Sequence, residues 1–387
     1  MNSIATINKL PENEVSTAHA AQSVGASLNG KSHPTKKRFN NSFLPDNRTR
    51  YVGFYLIMAG LVVFFFLLDI MYGTVSIPLK EVIHSLTGDT VQKESWDFII
   101  QEFRLPKALT AIIAGAGLAL SGLLMQTLFK NPLAGPFVLG ISNGASLGVA
   151  ILVMAGGVLV QPLLNMGEWG LVLAAISGSA LVLLLVLVVS VKVKDSISLL
   201  IVGMMVGSAT GAVVSVLQYF SDAELIQAYL IWTFGSLAGV SWEQLQILGF
   251  TTLLGLLLAF FVQKQLNTFL LGEQYARGLG ISIKRYRIIV IVATCLLAGS
   301  ITAFCGPVAF VGLAVPHIAR ATLQTSNHQV LIPSVILIGA VLMLGCDMIA
   351  QLPGRQDTLP INAVTAMLGS PVVIWVVIRS RTMKSSI

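Results

Sequence analysis

Long, nearly unbroken apolar runs constrain this chain more than any other feature. They recur near 52–72, 106–128, 136–156, 170–191, 197–219, 243–263, 287–304, 306–323, 331–351 and 359–379. Each has the length a bilayer-crossing helix needs, about 17 to 25 residues. The runs do not alternate apolar with polar residues, as barrel strands in lipid do. Hydrocarbon gives backbone groups no partner, so such runs must satisfy their own hydrogen bonds as helices. The expected fold is all-α, a polytopic membrane protein of about ten transmembrane helices. Only 11% of residues are charged and 55% are hydrophobic, whereas a soluble domain carries about 25% charged residues. Gly306-Pro307 and Pro316 interrupt the seventh and eighth runs. Such breaks require cover from protein or a water-lined cavity.

The first 50 residues are polar and rich in Asn, Ser and Lys. They read as a disordered tail without a secretory signal, and 51–387 as one transmembrane domain. Gly25 to Ser32 in the tail fit the phosphate-loop pattern GxxxxGK[ST]. That loop must follow a buried strand and open a helix. Here no apolar strand precedes it and Pro34 follows at once, so the match is a coincidence of letters. Cys295, Cys305 and Cys346 lie in apolar stretches at no ligand-like spacing, which predicts buried free thiols and no metal site.

Ten spans put both termini on one side. If that side is the cytoplasm, it holds 19 of the 24 Lys and Arg residues, and the other side keeps Lys80, Lys93, Arg104, Lys107 and Arg355. Positive residues favour cytoplasmic loops, so both termini are expected inside. The net charge of +7 then reflects topology, not nucleic-acid binding. No run carries an Asp or Glu at mid-membrane; Asp69 and Asp347 lie near span ends. Ion-coupled carriers use such carboxylates, so the energy is expected from a separate ATPase. An intramembrane protease would want paired Asp, Ser–His or HExxH, and His317 has no such companion in sequence; it reads as a hydrogen-bonded structural histidine. A purely structural membrane protein would not explain the loop described next.

Between the sixth and seventh runs, Gly272-Glu273-Gln274-Tyr275-Ala276-Arg277-Gly278-Leu279-Gly280 predicts a short amphipathic helix within a polar segment of about 264–287. Glu273 suits its N-terminus, Tyr275 and Leu279 share a face, and Gly280 can stop it. Earlier, FRLPKALTAIIAGAGLALSGLLMQTLFKNPLAGPFVLGISNGASLG (103–148) joins two Gly/Ala-rich runs through a short loop. Gly140, Gly144 and Gly148 recur every fourth residue, a spacing that lets helix backbones approach. Gly203, Gly207 and Gly211 do the same in the fifth run, a face suited either to close packing or to a wide path.

These blocks, with CGPVAFVGLAVPHIAR (305–320), LIPSVILIGAVLMLGCDMIAQ (331–351) and LPINAVTAMLGSPVVIWVV (359–377), closely resemble the FecCD-type permeases. Those are the membrane subunits of bacterial ATP-driven importers for iron-siderophores, haem and vitamin B12. The resemblance spans roughly 96–380. It implies a homodimer in the inner membrane, two ATP-binding cassette ATPase subunits below it and a substrate-binding protein outside. ATP and Mg would bind the ATPase, and this chain would hold no cofactor and catalyse nothing. Gly272, Glu273, Tyr275, Ala276, Arg277, Leu279 and Gly280 correspond to the family's coupling loop, which rests in a groove of the ATPase. Spans five and ten would line the path. Arg104 and Lys107 fall on the basic pair that docks the binding protein, with Lys departing from the family's Arg. A further family Arg falls on Gln351, and Arg355 four residues on is its candidate replacement. The cargo expected is a ferric siderophore, with cobalamin or haem as alternatives.

Overall fold

The computed structural model describes residues 47–73, 75–156, 161–193, 196–351 and 358–384. The tail with its phosphate-loop match, and Arg355, lie outside them. The described residues hold helices and no strand. In chain order they are α1 (Asn47–Met71), α2 (Leu79–Thr87), α3 (Glu94–Phe98), α4 (Leu105–Leu128), α5 (Ile141–Met154), α6 (Gln161–Leu164), α7 (Glu168–Lys192), α8 (Ser196–Tyr219) and α9 (Ala223–Phe234). Then follow α10 (Trp242–Phe261), α11 (Gln263–Leu270), α12 (Glu273–Gly278), α13 (Ile283–Thr294), α14 (Ser300–Cys305), α15 (Val311–Leu323), α16 (His328–Ala350) and α17 (Ile361–Lys384). A π-helical turn, Ile99–Arg104, joins α3 to α4, and another, Cys295–Gly299, joins α13 to α14.

Seven helical stretches are long and apolar enough to cross a membrane: α1, α3–α4, α7, α8, α10, α13–α14 and α16. The shorter α5, α15 and the apolar part of α17 fall on the three remaining runs. All ten sequence runs therefore coincide with helices.

The centre of the bundle is α4, buried along nearly its whole length. Its small residues explain why. A Cβ added to Gly115 would stand 2.2 Å from the Gly339 carbonyl of α16, and one on Gly122 only 1.7 Å from the Gly312 carbonyl of α15. A second tight contact joins α5 to α7, where a Cβ on Gly148 would lie 2.0 Å from the Ala174 carbonyl. Lipid tails are as apolar as leucine, so helix association in a membrane rests on such packing rather than on escape from water. The four-residue spacing of Gly144 and Gly148 is used as the sequence suggests, with α7 as the partner.

The break at Gly306-Pro307 is where lipid would be least forgiving. Helix α15 has 13 residues, about 20 Å at 1.5 Å per residue, short of a hydrocarbon core of about 30 Å. Residues 306–309 span the difference without helical bonds. The turn at 235–236 and the start of α17 cover them: Ser236 N donates to Cys305 O at 2.9 Å, and Ala309 N donates to Asn362 Oδ1 at 3.1 Å. Gly306 has φ +73°, and a Cβ there would meet Trp232 O at 2.7 Å. Covered and bonded in this way, the irregular backbone is tolerable within a membrane.

Candidate functional site

One end of the bundle collects the basic loops and holds the polar segment between the sixth and seventh spans. Asn267 on α11 fastens that segment to α16, accepting from His328 N at 2.8 Å and donating to Asn327 Oδ1 at 2.9 Å. On the other flank of His328, Nε2 lies 2.9 Å from Thr127 Oγ1 on α4. His317 is likewise structural, with Nε2 donating to Pro132 O at 2.8 Å.

Gly272, at φ +121°, turns the chain from α11 into α12, and Gly280, at φ +80°, turns it out again. The intervening helix has two faces. Ala276 is fully buried, and Glu273 reaches inward to Arg287 at 3.7 Å and along the helix to Arg277 at 3.9 Å. Arg287 is itself buried and donates to Val193 O at 2.9 Å, so the Glu273 carboxylate ties α12 to α13 and to the end of α7. Outward stand Leu271, Tyr275 and Leu279, at 68%, 54% and 61% exposure. Leu279 sits just beyond the last helical residue, so the shared face continues past the helix end. Leu271, which opens the same stretch in sequence just before the glycine, is a third exposed side chain that the sequence reading did not assign to this face. Beside this face lies an open recess of about 780 Å³, bordered by Phe129, Lys130, Ile197, Leu271 and Tyr275. Three exposed side chains, Tyr275 on a small, well-anchored helix and Leu271 and Leu279 flanking it, beside a wide depression form a surface suited to a protein partner.

The α8 glycines divide. Gly203 and Gly207 are buried against Gly140, and Asn143 Nδ2 donates to Gly207 O at 2.9 Å. Gly211 is exposed, with no atom near the position a Cβ would take.

The opposite end changes the picture of Arg104. Sequence reasoning made it a free docking cation; the structure buries it, at 8% exposure. Its Nη1 donates to Ile70 O at 2.6 Å and Met71 O at 2.9 Å, and its Nη2 to Val75 O. The last carbonyls of a helix have no partner of their own, and Arg104 supplies one to α1 and to the turn after it. Lys107 is also engaged: Nζ lies 2.8 Å from Asp347 Oδ2, with side chains 15% and 5% exposed. Gln351 donates to both Asp347 Oδ2 at 2.9 Å and Asp69 Oδ1 at 2.8 Å. Four side chains, Lys107, Asp347, Gln351 and Asp69, thus join α1, α4 and α16 in one charged cluster, with Arg104 beside it at Gly73. Sequence reasoning placed Asp69 and Asp347 at span ends without pairing them. The available signal was the cost of an ionisable group in a span, which requires a partner.

Breaking a buried pair from one side leaves an uncompensated charge, which costs about 3 kcal/mol or more. Lys107→Met is therefore expected to lower stability by about 3 kcal/mol, read as a drop in thermal midpoint in detergent. The double change Lys107→Met with Asp347→Leu should recover most of the loss. Equal loss in the single and double variants would mean that the pair is not what Lys107 contributes.

A model of the FecCD transport family matches residues 61–379. The chain is 40% identical over 284 residues to the vitamin B12 import system permease protein BtuC of Klebsiella pneumoniae, covering 73% of this chain and 83% of that protein. It is 39% identical over 285 residues to the protein of the same name from Vibrio cholerae, with the same coverage of 73% and 83%. Among solved structures, an inward-facing conformation of a metal-chelate type ABC transporter superposes with a TM-score of 0.73 at 29% identity, covering 84% of this chain and 99% of that one.

Proposed function

The chain belongs to the FecCD transport family and is a permease subunit of an ABC importer, not an enzyme, and on that premise we propose that it imports a large metal chelate of the vitamin B12 class. Two relatives named for vitamin B12 import, each about 40% identical, favour cobalamin over the ferric siderophore expected from sequence. The transport mechanism rests on the exposed face of α12. An importer without mid-membrane carboxylates takes its energy from ATP hydrolysis elsewhere, and a rigidly fastened cytoplasmic helix is the part that can transmit it. In this reading Leu271, Tyr275 and Leu279 enter a groove of a partner ATPase, which also binds the ATP and Mg. Gly272 and Gly280 set the ends of the helix, Ala276 seats it, and Glu273 with Arg277 and Arg287 holds it to the bundle.

The basic end then faces the cytoplasm with both termini, and the protein spans the inner membrane as a homodimer. Gly211, open in the single subunit, faces the shared path, while Gly203 and Gly207 pack. A substrate-binding protein docks on the opposite end. Arg104 and Lys107 serve that docking by shaping the surface rather than by offering free charges.

Proteoliposomes containing the permease, its cognate ATPase and its cognate binding protein test the cargo. ATP-dependent uptake of radiolabelled cobalamin is expected, undiminished by a tenfold excess of a ferric hydroxamate siderophore. Uptake of the ferric chelate with none of cobalamin would reverse the assignment.

A further inference from the structure

A second recess at the basic end, about 280 Å³, opens between α4, α11, α15 and α16. Lys130 and Arg320 border it, with Thr127, Ser326, Leu270 and Leu331. Arg320 is partly buried, and its side-chain partner is the neutral Gln126, to whose Oε1 it donates. Lys130 has φ +47°, which is uncommon outside glycine, and its Nζ lies 4.9 Å from the centre of the Phe269 ring. No carboxylate among the described residues forms an ion pair with either cation. A third cation is near: Arg50, on the first turn of α1, donates to Thr322 O two residues beyond Arg320.

A half-buried guanidinium facing a recess without an anion is costly unless something negative enters. We propose that this recess binds the phosphate group of an anionic membrane lipid. Its position favours lipid as the source. It lies where α4 ends at Leu128 and α16 begins at His328, the level at which two apolar spans reach the interface. Basic pockets between helices on the cytoplasmic side bind anionic headgroups. A phosphate would receive the Arg320 fork and the Lys130 ammonium in charge-assisted bonds, with the Ser326 hydroxyl as a further donor. Leu270 and Leu331 give the glycerol and upper acyl chain an apolar wall. The bound lipid would bridge the loop after α4 to α15, next to α11 and the helix it carries. The assignment holds whichever chelate is transported.

The test uses the full chain in neutral detergent, titrated with dioleoylphosphatidylglycerol, with dioleoylphosphatidylcholine as the neutral match, and followed by native mass spectrometry. Phosphatidylglycerol is expected to bind at least tenfold more tightly than phosphatidylcholine. Lys130→Gln and Arg320→Gln should each weaken it at least fivefold, and Lys264→Gln, an exposed cation on α11, less than twofold. A parallel arm titrates inorganic phosphate. Displacement of the lipid by millimolar phosphate, lost in the same two variants, supports the phosphate site and assigns its source to solution. Should Arg320→Gln fail to fold, Lys130→Gln, whose side chain is exposed, still decides. Lipid binding unchanged in Lys130→Gln overturns the proposal, as does loss of ATPase association alone, which would make the recess a seat for an acidic side chain of that partner.

Discussion

Gly122→Val should leave almost no folded protein. The α4 and α15 backbones meet at this residue, where even a Cβ would stand 1.7 Å from Gly312 O and 2.4 Å from its carbonyl carbon. No flexible side chain can yield there, because the obstacle is main chain. Overpacking an ordinary core site costs about 1–3 kcal/mol. Forcing two central helices apart also exposes the contacts of α4 with α16, so more than about 4 kcal/mol is expected, the range that marks a severe packing fault. The measurement is the monodisperse fraction after extraction, with the thermal midpoint of whatever survives. Gly211→Val is the matched control, since the same side chain meets open space there. It should extract and melt like the parent, and any effect should appear in transport. A well-folded Gly122→Val protein would mean that glycine contacts do not hold this bundle together.

How much of this was legible in sequence follows from what each feature depends on. The ten helices were legible because lipid leaves few choices for an apolar run of that length. The break at Gly306-Pro307 was legible too, since proline lacks the N–H that a helix interior requires. Gly280 marked the end of the α12 helix and Glu273 its first turn, whereas the turn at Gly272 that opens it showed only in the structure. Side-chain direction was not legible. Arg104 stands just before a span at a basic position, and nothing local says that it turns toward the end of α1, more than thirty residues earlier, instead of toward water. The Lys107–Asp347 pair joins residues 240 positions apart and needs the α4–α16 contact to exist first. That contact depends on Gly115 meeting Gly339, a pairing that spacing alone could not select among many glycines. Glu273 shows the same limit within a correctly read segment. Its helical position was predicted, but its inward pairing with Arg287 was not, so a charge reversal there would strain the loop itself and report on folding as well as on the partner.

The exposed face of α12 therefore gives the most direct test of the central claim, that this subunit takes its energy from a partner ATPase through that helix. Tyr275→Ala combined with Leu279→Ala removes two outward apolar side chains and touches neither the Glu273 ion pairs nor the buried Ala276. Aromatic anchors at an interface centre cost about 2 kcal/mol or more when truncated, which is roughly thirtyfold in affinity. In the complete complex of permease, ATPase and binding protein, the double variant should keep the parent's thermal midpoint as an isolated subunit. It should lose at least tenfold in ATPase retention, and its ATP-driven uptake should fall to background. Parental retention and parental uptake in the double variant would contradict the account.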